Sequence, residues 1–245
     1  MRLTRIYVPT PLSSDSQIEL PPDTGAHLAK VLRARSGDTL IVFNGNGDEF
    51  SAVVETVRGA RVSLSLGAGL QVNRESSLKV TLVQCVPRGD RMDFIVQKAT
   101  ELGVARIVSV LSQRSIVRLD DKQSESKAIH WRAVAASACE QCGRNLLPEI
   151  CIPQPLLHYL GASTASGPRL VFEPDSVAQS LPQSPQTEAE IAIGPEGGFA
   201  PEELEAFRLS GFLRVHLGPR ILRTETAALA ALTWLQARLG DMQGY

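Results

Sequence analysis

Residues 191–205 read IAIGPEGGFAPEELE. The apolar run Ile191–Ile193 stops at Gly194, and positions 194–198 hold three glycines and one proline. Pro201 suits the first position of a helix, and Glu202 and Glu203 suit the positive end of its dipole. The stretch therefore predicts strand, glycine loop, helix. In open α/β sheets ligands bind outside the carboxyl ends of the strands, which is where these glycines fall. Glycine also lets a backbone come close to what it binds. Taken alone, the residues leave a second reading open, in which the glycines make a tight turn and nothing more.

A phosphate ligand fits poorly. The chain has neither G-x-x-x-x-G-K-[ST] nor G-x-G-x-x-G with a downstream acid. Glu196 would repel phosphate, and no lysine in the loop offsets it. A ligand with hydroxyls or positive charge and no phosphate fits better, and S-adenosylmethionine is one. Residues 215–239, VHLGPRILRTETAALAALTWLQARL, repeat the logic: strand, Gly218-Pro219, an irregular stretch, then an apolar helix with Thr224 as its expected N-cap. Two such loops after neighbouring strands would wall one pocket. Leu217, Ile221 and Leu222 would offer apolar faces to a flat base, and Arg220 and Arg223 would present charge to an RNA.

The rest of the chain sets these loops in a frame. Residues 38–66 contain three strand-like runs, 39–43, 49–57 and 61–66, the first two split by the hairpin signal NGNGD. A short helix, 25–34, precedes them, with Leu28, Val31 and Leu32 expected on its buried face and Lys30, Arg33 and Arg35 toward solvent. Residues 67–77 read as a linker. From residue 78 onward strands alternate with helices, which predicts a parallel sheet covered on both faces. The Pro- and Ser-rich segment 174–188 reads as a polar connection.

Composition narrows the class. The 245 residues are 43% hydrophobic with a formal charge of -1, which describes a globular chain with a sizeable core. No apolar stretch reaches the ~18 residues of a membrane span. The start, MRLTRIYVPTPL, lacks a signal-peptide pattern, so a cytoplasmic protein is expected. Residues 1–120 carry a charge balance of +3 and residues 121–245 one of -4, a mild basic bias in the N-terminal half. Of four cysteines, Cys139 and Cys142 form a lone C-x-x-C without a second pair, so no metal is expected. The four histidines are scattered and read as structural.

At this point the segments IGPEGGF (193–199) and LGPRILRTETA (217–227) become specific. Together they resemble the signature of the bacterial 16S rRNA uridine-N3 methyltransferases, the RsmE family of the SPOUT methyltransferases. RIYV, HLAKVLR, RMDFIVQKATELGV, HWRAVAASACEQCGR and PEI agree, so the resemblance spans most of the chain; residues 153–188 stand outside it. It implies an α/β fold in two domains. Residues 1–70 would form a small PUA-like β-barrel that binds RNA. Residues 76–245 would form a SPOUT domain with a parallel sheet and a trefoil knot. It further implies a homodimer, and methyl transfer from S-adenosylmethionine to N3 of one uridine in 16S rRNA of the small ribosomal subunit. The resemblance implies that no metal is needed.

The expected cofactor contacts are Phe172, Gly194, Pro195, Glu196, Gly197 and Gly198, then Leu217, Gly218, Pro219, Ile221, Leu222 and Thr226. Uridine N3 must lose a proton before or during attack. Arg223 is the candidate cation for the resulting anion and Glu225 the candidate base. Arg5, Lys30, Arg33, Arg144 and Arg220 are the expected RNA contacts. Lys98, Glu101, Arg114, Glu140 and Gln141 would touch RNA, support the cofactor loops, or simply pair along their helices. Two other activities stay open: 2′-O-methylation of RNA, and RNA binding without catalysis. The target nucleotide, and whether naked rRNA or an assembled subunit is the substrate, cannot be read from these residues.

Overall fold

The computed structural model describes residues 3–163, 166–174, 176 and 186–243. Arg2 and most of the Pro- and Ser-rich segment lie outside the described residues. The chain divides into two compact units, Met1–Glu75 with Ala136–Leu147, and Ser76–Ala135 with Pro148–Tyr245.

The first unit is built on five strands, β1 (Thr4–Tyr7), β2 (Gln17–Glu19), β3 (Thr39–Phe43), β4 (Glu49–Arg58) and β5 (Arg61–Leu70), in the order β1-β3-β4-β5-β2. The hairpin signal does its expected job: β3 and β4 pair antiparallel with Phe43 opposite Glu49, and Gly45 and Gly47 take φ of 82° and 105° in the turn. β5 continues to Leu70, through residues expected in the linker. Alternating side chains of the strands, among them Ile6, Val42, Val54, Leu64 and Leu66, form the core with Leu28.

The helix before β3 differs from expectation. α1 covers Pro22–Ala26, and the chain then winds into a π turn over His27–Val31, in which the Leu32 N–H reaches back five residues to the His27 carbonyl at 3.2 Å. The wider turn rotates the following residues off the buried face. Leu28 is buried, whereas Val31 is 65% and Leu32 43% exposed beside exposed Lys30 and Arg33. Arg33 sits at φ 55°, in the left-handed region.

Two arginines expected at the RNA surface are buried instead. Arg5 pairs with Glu49 at 2.8 Å, and the two side chains are 5% and 2% exposed. Arg5 also donates to the Arg144 carbonyl at 3.1 Å. Arg144, likewise 5% exposed, pairs with Glu75 at 2.5 Å. Arg74 donates to Glu49 at 3.2 Å and to the Gly143 carbonyl at 2.9 Å. The Tyr7 N–H donates to Glu140 at 2.8 Å, while burial pushes the Glu140 carboxyl up. These bonds hold residues 136–147 to the first unit, whereas the sequence reading placed them in the second domain. A charge this buried is retained by pairing, so neither Arg5 nor Arg144 is available to an RNA phosphate.

Among the described residues the second unit carries seven strands: β6 (Lys79–Cys85), β7 (Val104–Leu111), β8 (Glu149–Ile150), β9 (Gln154–Pro155), β10 (Arg169–Phe172), β11 (Glu188–Ile193) and β12 (Leu213–Val215). The order is β12-β10-β11-β6-β7-β8, with β9 also on β7, and every pairing is parallel. Its helices are α2 (Arg91–Glu101), α3 (Asp121–Cys142, which from Ala136 onward belongs to the first unit), α4 (Leu156–Ala162), α5 (Pro201–Leu209) and α6 (Thr224–Leu239). Side chains alternate between two cores. Val80, Leu82, Ile191 and Phe172 pack with Ile95 of α2, Trp131 of α3 and Leu232 of α6. Val83, Cys85, Ala192 and Val171 pack on the other face with Tyr159 of α4 and Phe207 of α5. The parallel sheet covered on both faces is thus observed; α4, β8 and β9 are too short for periodicity to have announced them.

Glu49, 2% exposed, receives two arginines, of which Arg5 is buried with it. Glu49→Ala should lower the unfolding free energy by about 3 kcal/mol in urea titrations, because it strands the Arg5 charge. Replacing exposed Glu55 by alanine should stay within about 0.5 kcal/mol.

Candidate active site

β11 runs into the glycine loop, and the loop is tied at three points. The Gly194 carbonyl accepts from the Thr224 hydroxyl at 2.8 Å, and that hydroxyl accepts from Gln84 Nε2 at 2.9 Å. Gln84, at the end of β6 and fully buried, also donates to the Cys85 carbonyl at 2.9 Å. Thr224 therefore does not cap α6. It is the first helical residue, with Arg223 at the cap position, and its hydroxyl joins the ends of β6 and β11 to the start of α6.

The second tie is Glu203, 4% exposed. Its Oε2 accepts from the Ala200 N–H at 2.9 Å and its Oε1 from the Gln113 N–H at 2.7 Å. Expected only to favour the helix dipole, it joins the start of α5 to the loop after β7. In the third tie, Arg114 Nη1 donates to the Gly197 carbonyl at 3.1 Å. Beneath these loops Cys85 is buried, which pushes its thiol up to about 12, so it is a protonated filler.

Glu196 has a cation after all. Arg91, at the start of α2 and 105 residues earlier, donates to its Oε1 at 2.6 Å, and the Arg88 N–H lies at 3.5 Å. Both partners are partly exposed at the rim. The glycines divide by role. Gly198 needs its left-handed φ of 67°, and a Cβ at Gly194 would stand 3.2 Å from the Phe199 ring. A Cβ at Gly197 would meet Arg114 at an ordinary 3.6 Å.

Between this loop and the 216–223 loop lies a cavity of about 440 Å³, at the carboxyl ends of β10, β11 and β12. Phe172, Ile193, Phe199, Leu217, Ile221 and Leu222 give it apolar walls. Gly194, Pro195, Gly198 and Gly218 bring backbone to it. Arg91, Glu196, Arg220 and Arg223 bring charge. Gly218 turns at φ 78°, and Ile221 is 85% exposed at the cavity. An apolar pocket with a few converging polar groups suits a small-molecule ligand.

Of the sequence-based expectations, Gly197, Pro219, Thr226 and Glu225 do not line the cavity. For the last two the reason is helical geometry. Successive residues of α6 turn by ~100°, so Thr224 and Ala227 share the cavity face while Glu225 and Thr226 point elsewhere. Glu225 Oε2 is buried and meets no donor among the described residues. Lys98 pairs with Glu101 at 2.8 Å. Sequence reading missed Gln84, Arg91, Phe199 and Glu203, whose bonds or cavity positions depend on residues distant in the chain. Among the described residues, no three His, Cys, Asp or Glu side chains gather as a metal site. Among them, too, no helix is long and apolar enough to cross a membrane.

The family model of an RNA methyltransferase domain matches residues 74–236, and that of an RNA methyltransferase PUA domain matches residues 20–65. The chain belongs to the family of ribosomal RNA small subunit methyltransferase E. A relative of that name from Buchnera aphidicola is 33% identical, covering 98% of each chain, and one from Bacillus subtilis is 33% identical, covering 89% of each. A solved structure of that name from Neisseria gonorrhoeae, bound to S-adenosyl methionine, is 34% identical with a TM-score of 0.93, covering 99% of this chain and 100% of that one. A Legionella pneumophila structure with the bound cofactor SAM is 39% identical with a TM-score of 0.92, covering 98% and 100%.

The Thr224 hydroxyl carries two of the loop bonds. Thr224→Val should cost about 2 kcal/mol in chemical denaturation, since it leaves Gln84 and the Gly194 carbonyl each short of a partner. Thr224→Ser, which keeps the hydroxyl, should cost about 1 kcal/mol.

Proposed function

We propose that this protein transfers a methyl group from S-adenosylmethionine to N3 of a uridine in 16S rRNA of the small ribosomal subunit. The observation that carries the reading is the apolar, glycine-bordered cavity at the carboxyl ends of β10–β12, in a chain that aligns end to end with relatives solved with this cofactor. The residues present fit the cofactor. Leu217, Ile221 and Leu222 suit a purine, Gly194 and Gly218 leave room for close backbone approach, and Glu196 and the loop carbonyls suit hydroxyls and positive charge. When bound, S-adenosylmethionine supplies a methyl group already activated on a sulfonium.

The protein's own part is positioning and charge. Arg223, exposed at the cavity, stabilises the imide anion that forms as the N3 proton leaves. Glu225 is given no proton to move, because α6 turns it from the cavity. Lys30 and Arg33 of the first unit and Arg220 of the second are exposed and suit RNA phosphates. The finer architecture belongs to the same reading: a PUA-like barrel over residues 1–70, a trefoil-knotted SPOUT domain over 76–245, a homodimer, and residence in the cytoplasm. Exposed Phe94 of α2 and Ile129 of α3, 46% and 64% accessible, are apolar surface that a second copy would cover. Light scattering at micromolar concentration should give twice the chain mass; a monomer would speak against the dimer.

Incubation of purified protein with S-adenosylmethionine and small-subunit rRNA, followed by nucleoside mass spectrometry, should yield N3-methyluridine. A 2′-O-methyl nucleoside would replace this reading with ribose methylation, and binding of RNA without cofactor binding would replace it with a non-catalytic role. Arg223→Ala should lower kcat by about 100-fold at saturating RNA, the pattern of an interaction made mainly in the transition state.

A further inference from the structure

The rim of the cavity is more basic than the chain. Segments 194–200 and 216–223 line it, and segments 86–90 and 112–120 adjoin the first of these. They carry five arginines, Arg88, Arg114, Arg118, Arg220 and Arg223, against three acids, Asp90, Asp120 and Glu196, in a chain of net charge -1, and Arg91 and Glu173, which also line the cavity, add one charge of each sign. Bonds already described tie segments 86–90 and 112–120 to the 194–200 loop and the helix that follows it: Gln113 to Glu203, Arg114 to Gly197, and Arg91, next to Asp90, to Glu196. The acids do little to cancel the excess. Glu196 is paired with Arg91, and Asp120 accepts the Gln123 N–H at 2.8 Å at the start of α3.

The arginines differ in what they are free to do. Arg118 donates to the Ser115 and Gln113 carbonyls and so shapes its own loop. Arg220 and Arg223 line the cavity itself. Arg88 and Arg114 are exposed outside the cavity lining. A guanidinium has five N–H donors, and the bond to Gly197 uses one of those on Arg114.

A uridine can reach a methyl donor in this cavity only if its base leaves the stack and enters. Its sugar and flanking phosphates then stay at the mouth. Planar, always charged, bidentate guanidinium groups suit phosphate there. Resting on the function proposed above, we infer that Arg88 and Arg114 form a phosphate clamp on the methyltransferase unit that holds the RNA backbone on either side of the target nucleotide. The unit that performs the transfer thus carries an RNA anchor of its own.

The test uses full-length protein and a labelled 16S rRNA transcript, with affinity measured by fluorescence anisotropy between about 50 and 200 mM salt. Arg88→Gln combined with Arg114→Gln should weaken binding about tenfold or more and reduce the slope of log K against log salt by about two, one per lost phosphate contact. Arg88→Gln alone, which leaves the Gly197 bond in place, should reduce it by about one. Arg88→Lys with Arg114→Lys should keep most of the slope while losing affinity. Lys122→Gln with Lys127→Gln on α3 is the control and should change both less. Unchanged affinity and slope in the double variant, or an equal loss in the α3 control, overturns the clamp. If the wild type methylates rRNA and the double variant keeps its slope, the clamp alone fails. If the wild type neither binds S-adenosylmethionine nor methylates rRNA, the functional reading fails with it.

Discussion

A single buried hydroxyl organises the methyltransferase unit. Thr224 accepts from Gln84 and donates to Gly194, so the ends of two neighbouring parallel strands and the start of the last helix share one hydrogen-bonded node. All three participants come from segments that a parallel sheet would otherwise leave to diverge, since loops at a switch in strand order run in opposite directions. Inside a low-dielectric core such bonds are strong and expensive to break. The node fastens the Gly194 loop to the residue at which the 216–223 loop passes into α6.

Charge around the cavity is handled by pairing. Glu196 would oppose an RNA approaching the rim, and Arg91 removes that opposition at 2.6 Å. Glu203 is nearly inaccessible, and its two oxygens each accept a backbone N–H. Of these two carboxylates, one is thus a neutralised rim group and the other a structural acceptor. What remains unbalanced is arginine, on the side where a polyanion would arrive.

The first unit solves a different problem. Its sheet is small, and two buried arginines hold residues 136–147 to it: Arg5, paired with Glu49, donates to the Arg144 carbonyl, and Arg144 pairs with Glu75. Such pairs add little net stability over apolar packing, but each partner is costly to lose singly. They specify where the segment after Ala135 belongs more than how tightly it is held. The π turn at His27–Val31 has the opposite character: it leaves Val31 and Leu32 in solvent among cations.

What the amino-acid sequence determined by itself is local. Apolar runs between turn residues marked the strands, the alternation of strand and helix marked the parallel sheet, and glycines at positions 194, 198 and 218 marked loops after strands. Because those loops fall at the carboxyl ends of parallel strands, the cavity and most of its lining were legible too. The tertiary structure alone decided the partners. It matched Glu196 to Arg91 across 105 residues and Arg5 to the Arg144 carbonyl across 139. Buried, those two arginines left the expected RNA surface, and the turn of α6 took Glu225 out of the cavity. The physical reason is one of range. Backbone conformation and hydrophobic periodicity are properties of neighbours in the chain. A charge finds its partner only after strand order has brought distant loops together, and any of 25 basic residues could have been chosen until then.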